Sequence, residues 1–395
     1  MSFPSLPKQR MRWIATVFFF LSGLISASWS ARIPEIQKKF LLNDAKWGVM
    51  LFALPLGLVA GLILSSYLVA KYGSRRMMVL ASIVFSITLL LLSLCNTTWQ
   101  LAIVLFMFGI CRNATNISIN TYAVELQRSY TRPIVSVFHG IWSLAGFAAV
   151  GIGAFMIARS IIPEWHFLII TIICLVIVFI FRRKKSEKSD IKNERRPLLI
   201  MPTHYLLLLG LIAFCSMICE GTMFDWSVSY FQNNIKAEKG MVTAGYTSFI
   251  VALTLGRLAG DKVIHRFGPV SLLAINAVIM ALGFLLAILF PFLLPACIGF
   301  LLVGLGNSIL IPMTYMLASK TTDMPASYAI ASVTMIGYIG FLIGPPIVGS
   351  ISEHFGMQWA FGLMGLLSLC IVVIALFVKK VTTSNPVLLH QTLSS

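Results

Sequence analysis

KYGSRRMMVLASIVFSITLLLLSLC, Lys71–Cys95, sets Lys71, Arg75 and Arg76 directly against a run that carries no charge from Met77 to Cys95. A bilayer core is crossed by a helix of roughly 20 mostly apolar residues. In lipid, only a backbone that closes its own hydrogen bonds survives. This stretch meets both conditions, and the pattern recurs outward along nearly the whole chain. Crossings are expected over Trp13–Ala31, Lys46–Ala70, Met77–Cys95, Trp99–Tyr122, Pro133–Ile157 and Trp165–Phe181. Six more are expected over His204–Phe231, Val242–Lys262, Pro269–Leu289, Phe292–Ala318, Ala326–Ser350 and Gln358–Val378. Hydrophobic residues make up 58% of the 395 and charged ones 11%, more apolar surface than a water-soluble domain can hide. The expected class is an all-α membrane protein with twelve transmembrane helices in two pseudo-symmetric six-helix bundles.

Basic residues orient such a chain, because cytoplasmic loops carry the excess of Lys and Arg. One set of loops holds Lys8, Arg10, Arg12, Lys71, Arg75, Arg76 and the cluster Arg182–Arg196, while the alternate set is sparse. The first set, with both termini, is expected to be cytoplasmic in a bacterial inner membrane. The formal charge of +17 then orients the chain and faces anionic lipid. It is scattered over loops, so nucleic acid is not an expected partner. Basic Lys8–Arg12, an apolar run and Ser26-Ala27-Ser28 imitate a signal peptide, but eleven further spans favour a first helix. The seven cysteines all fall in expected spans, which gives no disulfide framework.

A polar stretch interrupts the middle of the chain. Arg182-Arg183-Lys184-Lys185 opens it and Arg195-Arg196-Pro197 closes it. The expected organisation is a first bundle over 1–181, a cytoplasmic linker over 182–201 and a second bundle with a short tail over 202–395. The halves echo each other. Gly61 and Gly73 flank the end of the second span, and Gly256 and Gly268 flank the end of the eighth at the same spacing. Gly146-Phe147 recurs as Gly340-Phe341. Repeated halves around a central site are how secondary transporters build alternating access.

With these residues in view, the chain resembles the major facilitator superfamily over nearly its whole length. Lys71-Tyr72-Gly73-Ser74-Arg75-Arg76 is similar to that superfamily's loop signature, with Ala70 in place of the usual Asp and Ser74 in place of one basic residue. A bacterial inner-membrane branch related to the fucose permeases is more similar still. The stretches that match are Arg32-Ile33-Pro34-Glu35-Ile36, Phe138-His139-Gly140-Ile141-Trp142-Ser143, Glu220–Ser227 and Gly256-Arg257-Leu258-Ala259-Gly260-Asp261. The resemblance implies a cavity lined by the first, fourth, seventh and tenth spans. It also implies a small-molecule substrate, sugar-like in the first instance. Fucose permeases carry acids four residues before the positions matching Pro34 and Asn120. Here Ser30 and Asn116 stand there, so that proton and sugar chemistry does not transfer by position.

Ionisable groups at bilayer depth are costly, so each is a functional candidate. Arg112, Asn113, Asn116 and Asn120 fall within roughly 100° of one helical face, a polar stripe suited to water or substrate rather than lipid. The competing reading is a ladder of hydrogen bonds between helices. Glu220 lies at a depth similar to Arg112, roughly 16–18 Å, so an ion pair between them is expected. Asp225, nearer the outer end, is a periplasmic gate or second acid on one reading and a cap on the other. Low dielectric favours the neutral form of a carboxyl and a neighbouring guanidinium favours the charged form, so a ligand competing for the guanidinium can switch protonation. Glu220 and Asp225 are therefore the proton-coupling candidates, and protons the expected co-substrate.

Trp142 and Asn307 complete the expected substrate contacts, while Trp29 and Trp226 read equally well as interface anchors. His139 reads as a structural histidine against Trp142, with a proton relay as the competing reading. Arg257 and Asp261, at i and i+4 near the inner end of the eighth span, read as a structural or gating pair, alongside Arg32, Arg75 and Arg76. No phosphate-cradling loop, metal cluster or nucleophile constellation is legible, so no cofactor, metal or enzymatic activity is expected. The expected function is a secondary active or facilitative transporter of a small polar solute. Multidrug efflux and a transporter-like sensor or scaffold remain as alternatives.

Overall fold

Runs that satisfy their own backbone become helices wherever proline permits. The computed structural model describes residues 8–127, 129–130, 134–181, 203–321 and 324–384, without the side chains of 63, 135–136, 261–267 and 326–327. The expected linker 182–201 lies outside the described residues. The first seven helices are α1 (Lys8–Lys39), α2 (Asp44–Leu51), α3 (Ala53–Tyr72), α4 (Ser74–Leu94), α5 (Thr98–Gln127), α6 (Val135–Ala158) and α7 (Pro163–Phe181). The next seven are α8 (His204–Asn233), α9 (Ala244–Phe267), α10 (Pro269–Leu289), α11 (Leu293–Asn307), α12 (Leu310–Ser319), α13 (Ala326–Phe355) and α14 (Met357–Ser384). Among the described residues, twelve helical segments are long and apolar enough to cross a membrane.

Twelve spans yield fourteen helices because the second and the tenth are each broken once. The same device breaks both. Pro55 is the third residue of α3 and Pro312 the third residue of α12. Proline lacks the N–H that would bond the carbonyl four residues back, here Leu51 and Ser308, and its ring crowds that carbonyl. Within the first turn of a new helix the missing donor is harmless. Each span therefore stops just before its proline and restarts.

By packing, the chain divides into two compact units, Met1–Leu41 with Ala53–Glu194, and Leu42–Phe52 with Arg195–Ser395. In the first, α1 lies along α6, α3 along α5, and α4 along α5 and α7. In the second, α8 lies along α13, α9 along α11, and α10 along α11 and α14. The pairing scheme is repeated, as are the contacts that make it. A Cβ at Gly57 of α3 would stand 2.1 Å from the Phe106 carbonyl oxygen, and one at Gly304 of α11 would stand 2.2 Å from that of Phe249. Close backbone approach at small residues is how helices associate where no hydrophobic effect separates them from lipid.

The second unit borrows one segment from early in the chain. Helix α2 packs on α13, where a Cβ at Gly48 would lie 2.3 Å from the Pro345 carbonyl oxygen. Glu353 caps it, its Oε2 accepting from the Asp44 N–H at 2.9 Å and its Oε1 from Asn43 Nδ2 at 3.1 Å. The Ser352 hydroxyl donates to Asp44 Oδ2.

Gly73 before α4 (φ 85°, ψ 149°) and Gly268 before α10 (φ 76°, ψ 150°) share one backbone conformation, which only glycine adopts without strain. Nothing lies within 4 Å of a Cβ built on Gly268, so the cost of Gly268→Ala is all backbone. That substitution is expected to destabilise the protein by roughly 1–3 kcal/mol, read from unfolding in detergent. Gly362→Ala, at an equally open position inside α14, is expected to be neutral or stabilising.

Candidate functional site

Among the described residues of the second unit, one polar cluster at mid-depth is assembled from three helices. Glu220 lies thirteen residues before the end of α8, and Arg257 thirteen residues after the start of α9, each roughly 20 Å in. Asn307 is the last residue of α11, at the break in the tenth span. Arg257 Nη2 donates to Glu220 Oε1 at 3.1 Å, and Asn307 Nδ2 donates to Glu220 Oε2 at 3.0 Å. One turn before Glu220, the Ser216 hydroxyl donates to Asn307 Oδ1 at 2.7 Å. That bond sets the amide so that its NH2 group meets the carboxylate.

Local sequence explains the assembly. Arg257 is flanked by Gly256 and Gly260, and a Cβ on these would lie 2.2 Å from Ser308 Oγ and 2.9 Å from Ile309 Cγ2. The two glycines let the break settle onto α9. There the Ser308 carbonyl, left without a helical donor by Pro312, receives a long 3.4 Å bond from Arg257 Nε. Irregular backbone at membrane depth is tolerated where protein or water satisfies it, and broken helices build many transporter sites. The side chain of Arg257 is 40% exposed and that of Glu220 16%. On α9 the exposed Leu255 and Leu258 lie about 160° and 100° round from Arg257, so the guanidinium opens away from that apolar face. Tyr315 of α12 is within electrostatic range of Glu220, and Phe341 of α13 lies over Gly221.

These findings correct several expectations. Glu220 is paired with Arg257 of its own unit, a partner that the expected pairing with Arg112 did not include. Arg257 is mid-helix rather than near an end, because α9 continues past the apolar run to Phe267. The Asp261 side chain lies outside the described residues, and the guanidinium expected to meet it is turned to Glu220. The expected stripe on α5 is divided. Asn113, at its edge, is buried with its Cβ against Gly61 of α3, and its Oδ1 has no hydrogen-bond partner among the described residues. Arg112 is half-buried, and Asn116 is exposed, its Oδ1 accepting from Asn120 Nδ2 at 2.8 Å.

Trp29 and Trp226 are buried within their units, so neither anchors an interface, and Trp142 is half-buried. His139 meets Phe19 edge-on at 5.3 Å. Asp225 is half-buried. Arg75 is half-buried and Arg76 exposed, beside a bond from the Ser74 hydroxyl to Glu125 Oε2 at 2.6 Å. Arg32 does not end the first helix, because α1 runs through Pro34 to Lys39.

A second buried cluster was not legible. Arg32 is fully buried; its Nε donates to His166 Nδ1 at 3.0 Å and its Nη1 to Glu35 Oε2 at 2.5 Å. His166 reads in sequence as a residue at the mouth of a span, beside Trp165. Only its place at the same expected membrane face as Arg32 hinted at the pairing.

The model of the Major Facilitator Superfamily matches residues 13–329 and 296–392. An uncharacterised MFS-type transporter of Yersinia pestis is 31% identical over 362 residues, covering 92% of this chain and 94% of its own. A cis,cis-muconate transport protein of Acinetobacter baylyi is 23% identical, covering 93% and 94%. Among solved structures, the E. coli fucose:proton symporter aligns with a TM-score of 0.61 at 17% identity, covering 93% of this chain and 98% of that one.

Proposed function

We propose, from the premise that this chain belongs to the Major Facilitator Superfamily, that it is a proton-coupled carrier of a small polar organic solute, with Glu220 as the coupling carboxylate. The observation that carries this reading is the cluster of Glu220, Arg257 and Asn307 at mid-depth beside a broken helix. A carboxylate held by one guanidinium and one amide can exchange a partner for a proton, and a solute that competes for either donor drives that exchange. The fold shared with a fucose:proton symporter supports a sugar-like solute, and the muconate transporter widens the class to polar acids. Arg112, Asn116, Asn120 and Trp142 are the solute contacts proposed for the first unit, and Asp225 the second acid. The excess of basic residues on one set of loops supports cytoplasmic termini in an inner membrane.

The test uses proteoliposomes loaded with a pH-sensitive dye and exposed to a panel of sugars and organic acids. At least one solute should drive proton entry in the wild type and not in Glu220→Gln, which keeps the size of the side chain but not its titration. Undiminished solute-driven proton entry in that variant overturns the assignment of Glu220.

A further inference from the structure

We infer that the solute bears an oxyanion, a carboxylate or phosphate head, and that this head binds Arg257 through Nη1. The inference rests on the carrier reading above and names the chemical class it serves.

The hydrogen-bond inventory of the cluster is lopsided. Both carboxylate oxygens of Glu220 are already engaged, Oε1 by Arg257 Nη2 and Oε2 by Asn307 Nδ2. Asn307 Oδ1 is taken by Ser216. The Arg257 guanidinium is engaged at Nη2 and, by a long bond, at Nε. Its Nη1 has no hydrogen bond among the described residues, and this side chain is the more exposed of the ion pair. Each Glu220 oxygen can accept once more, but the free N–H groups of Arg257 and Asn307 outnumber those sites, so the cluster offers an arriving ligand more donors than acceptors. The donor is a planar fork that matches the two oxygens of a carboxylate or phosphate. A neutral hydroxyl would accept from one N–H and gain less, because it brings no charge of its own to the fork.

Charge balance gives the second half of the inference. Glu220 and Arg257 together are neutral. Facing them, Tyr315 lies on α12 with Tyr338 beyond it on α13, and the described charged residues of α13 and α14 are Glu353, His354, Lys379 and Lys380, all within the last two turns of those helices. Within the second unit, an arriving anion thus brings one negative charge that the described residues of α12, α13 and α14 do not offset at mid-depth. One proton taken from water onto Glu220 restores neutrality and releases Nη2 to the ligand as well. The solute anion and the proton then travel together.

The experiment measures melting temperatures of the purified full-length protein in detergent at constant sodium and chloride. Gluconate, benzoate, succinate and inorganic phosphate are compared with glucose, methyl benzoate, dimethyl succinate and trimethyl phosphate. At least one anion should stabilise the protein while its neutral counterpart does not. The arms separate the sources, since stabilisation by phosphate alone assigns a phosphate head and by an acid alone a carboxylate. Arg257→Gln should weaken the binding anion by about ten- to hundredfold, the usual worth of a hydrogen bond to a charged group. Glu220→Gln should instead bind it more tightly and with less dependence on pH, because the competing carboxylate is gone.

Stabilisation by no anion, equal stabilisation by the neutral counterpart, or unchanged affinity in Arg257→Gln overturns the inference. If Arg257→Gln does not fold, Glu220→Gln decides, and equal or weaker anion binding there is the overturning result. Failure of the two readings is distinguishable. A neutral sugar that drives proton entry dependent on Glu220, with no anion bound, leaves the carrier reading standing and removes the oxyanion. Anion binding through Arg257 without proton entry does the reverse.

Discussion

Glu35→Leu is expected to be among the most damaging single changes in the protein, and adding Arg32→Met is expected to repair much of the damage. Arg32 is fully buried, and its carboxylate partner is Glu35. Removing that partner leaves an uncompensated guanidinium inside the first unit; in fully buried pairs that loss is about 3–5 kcal/mol, and the one-third exposure of Glu35 places this pair toward or below the lower end. Replacing the arginine as well removes the stranded charge and leaves the His166 ring, which then gives up only one neutral contact. Thermal unfolding of the two single variants and the double variant in detergent forms a closed cycle. A double variant no more stable than Glu35→Leu would show that the arginine is not held by this carboxylate.

The second large effect belongs to a residue with no polar atom to lose. Gly256→Ala puts a Cβ 2.2 Å from Ser308 Oγ and 2.6 Å from Ser308 Cβ. The break in the tenth span must then move off α9, taking with it the Ser308 carbonyl and Asn307. Overpacking of this kind costs roughly 1–3 kcal/mol. Because Asn307 shares Glu220 with Arg257, solute uptake should fall by about tenfold or more, as displaced contact residues commonly cause. Ser308→Gly removes both offending atoms, so the exchange Gly256→Ala with Ser308→Gly should recover stability and uptake together. An exchange variant no better than Gly256→Ala would mean that the glycine serves something other than this approach.

The spans were readable because each is a long apolar run, and the period of such a run needs no partner to be seen. The repeated halves were readable for a similar reason, since Gly73 and Gly268 occupy one backbone conformation and the spacing around them is preserved. Depth was harder. An apolar run marks where lipid ends and not where the helix ends, so α9 outlasting its run moved Arg257 to the middle of the element. Side-chain partnership was harder still. Arg32 and His166 are 134 residues apart, and nothing local to either names the other. The polar stripe on α5 illustrates a further limit. A face 100° wide is broad enough for Asn113 to turn onto Gly61 while Asn116 stays exposed. Both broken spans carried a visible mark, Pro55 and Pro312, but proline is tolerated within transmembrane helices, as Pro345 and Pro346 inside the unbroken α13 show.

The capping of α2 by Glu353 sets a clock on biosynthesis. The Asp44 N–H and the carboxylate that receives it are separated by 309 residues. A ribosome adds roughly 5–20 residues per second, so Asp44 exists for about 15–60 s before its cap is made. During that interval α3 to α7 can find their neighbours in the first unit, while α2 still lacks the α13 against which Gly48 packs. The N-terminal half of the nascent chain is therefore complete as polypeptide long before one of its own helices has reached its final place.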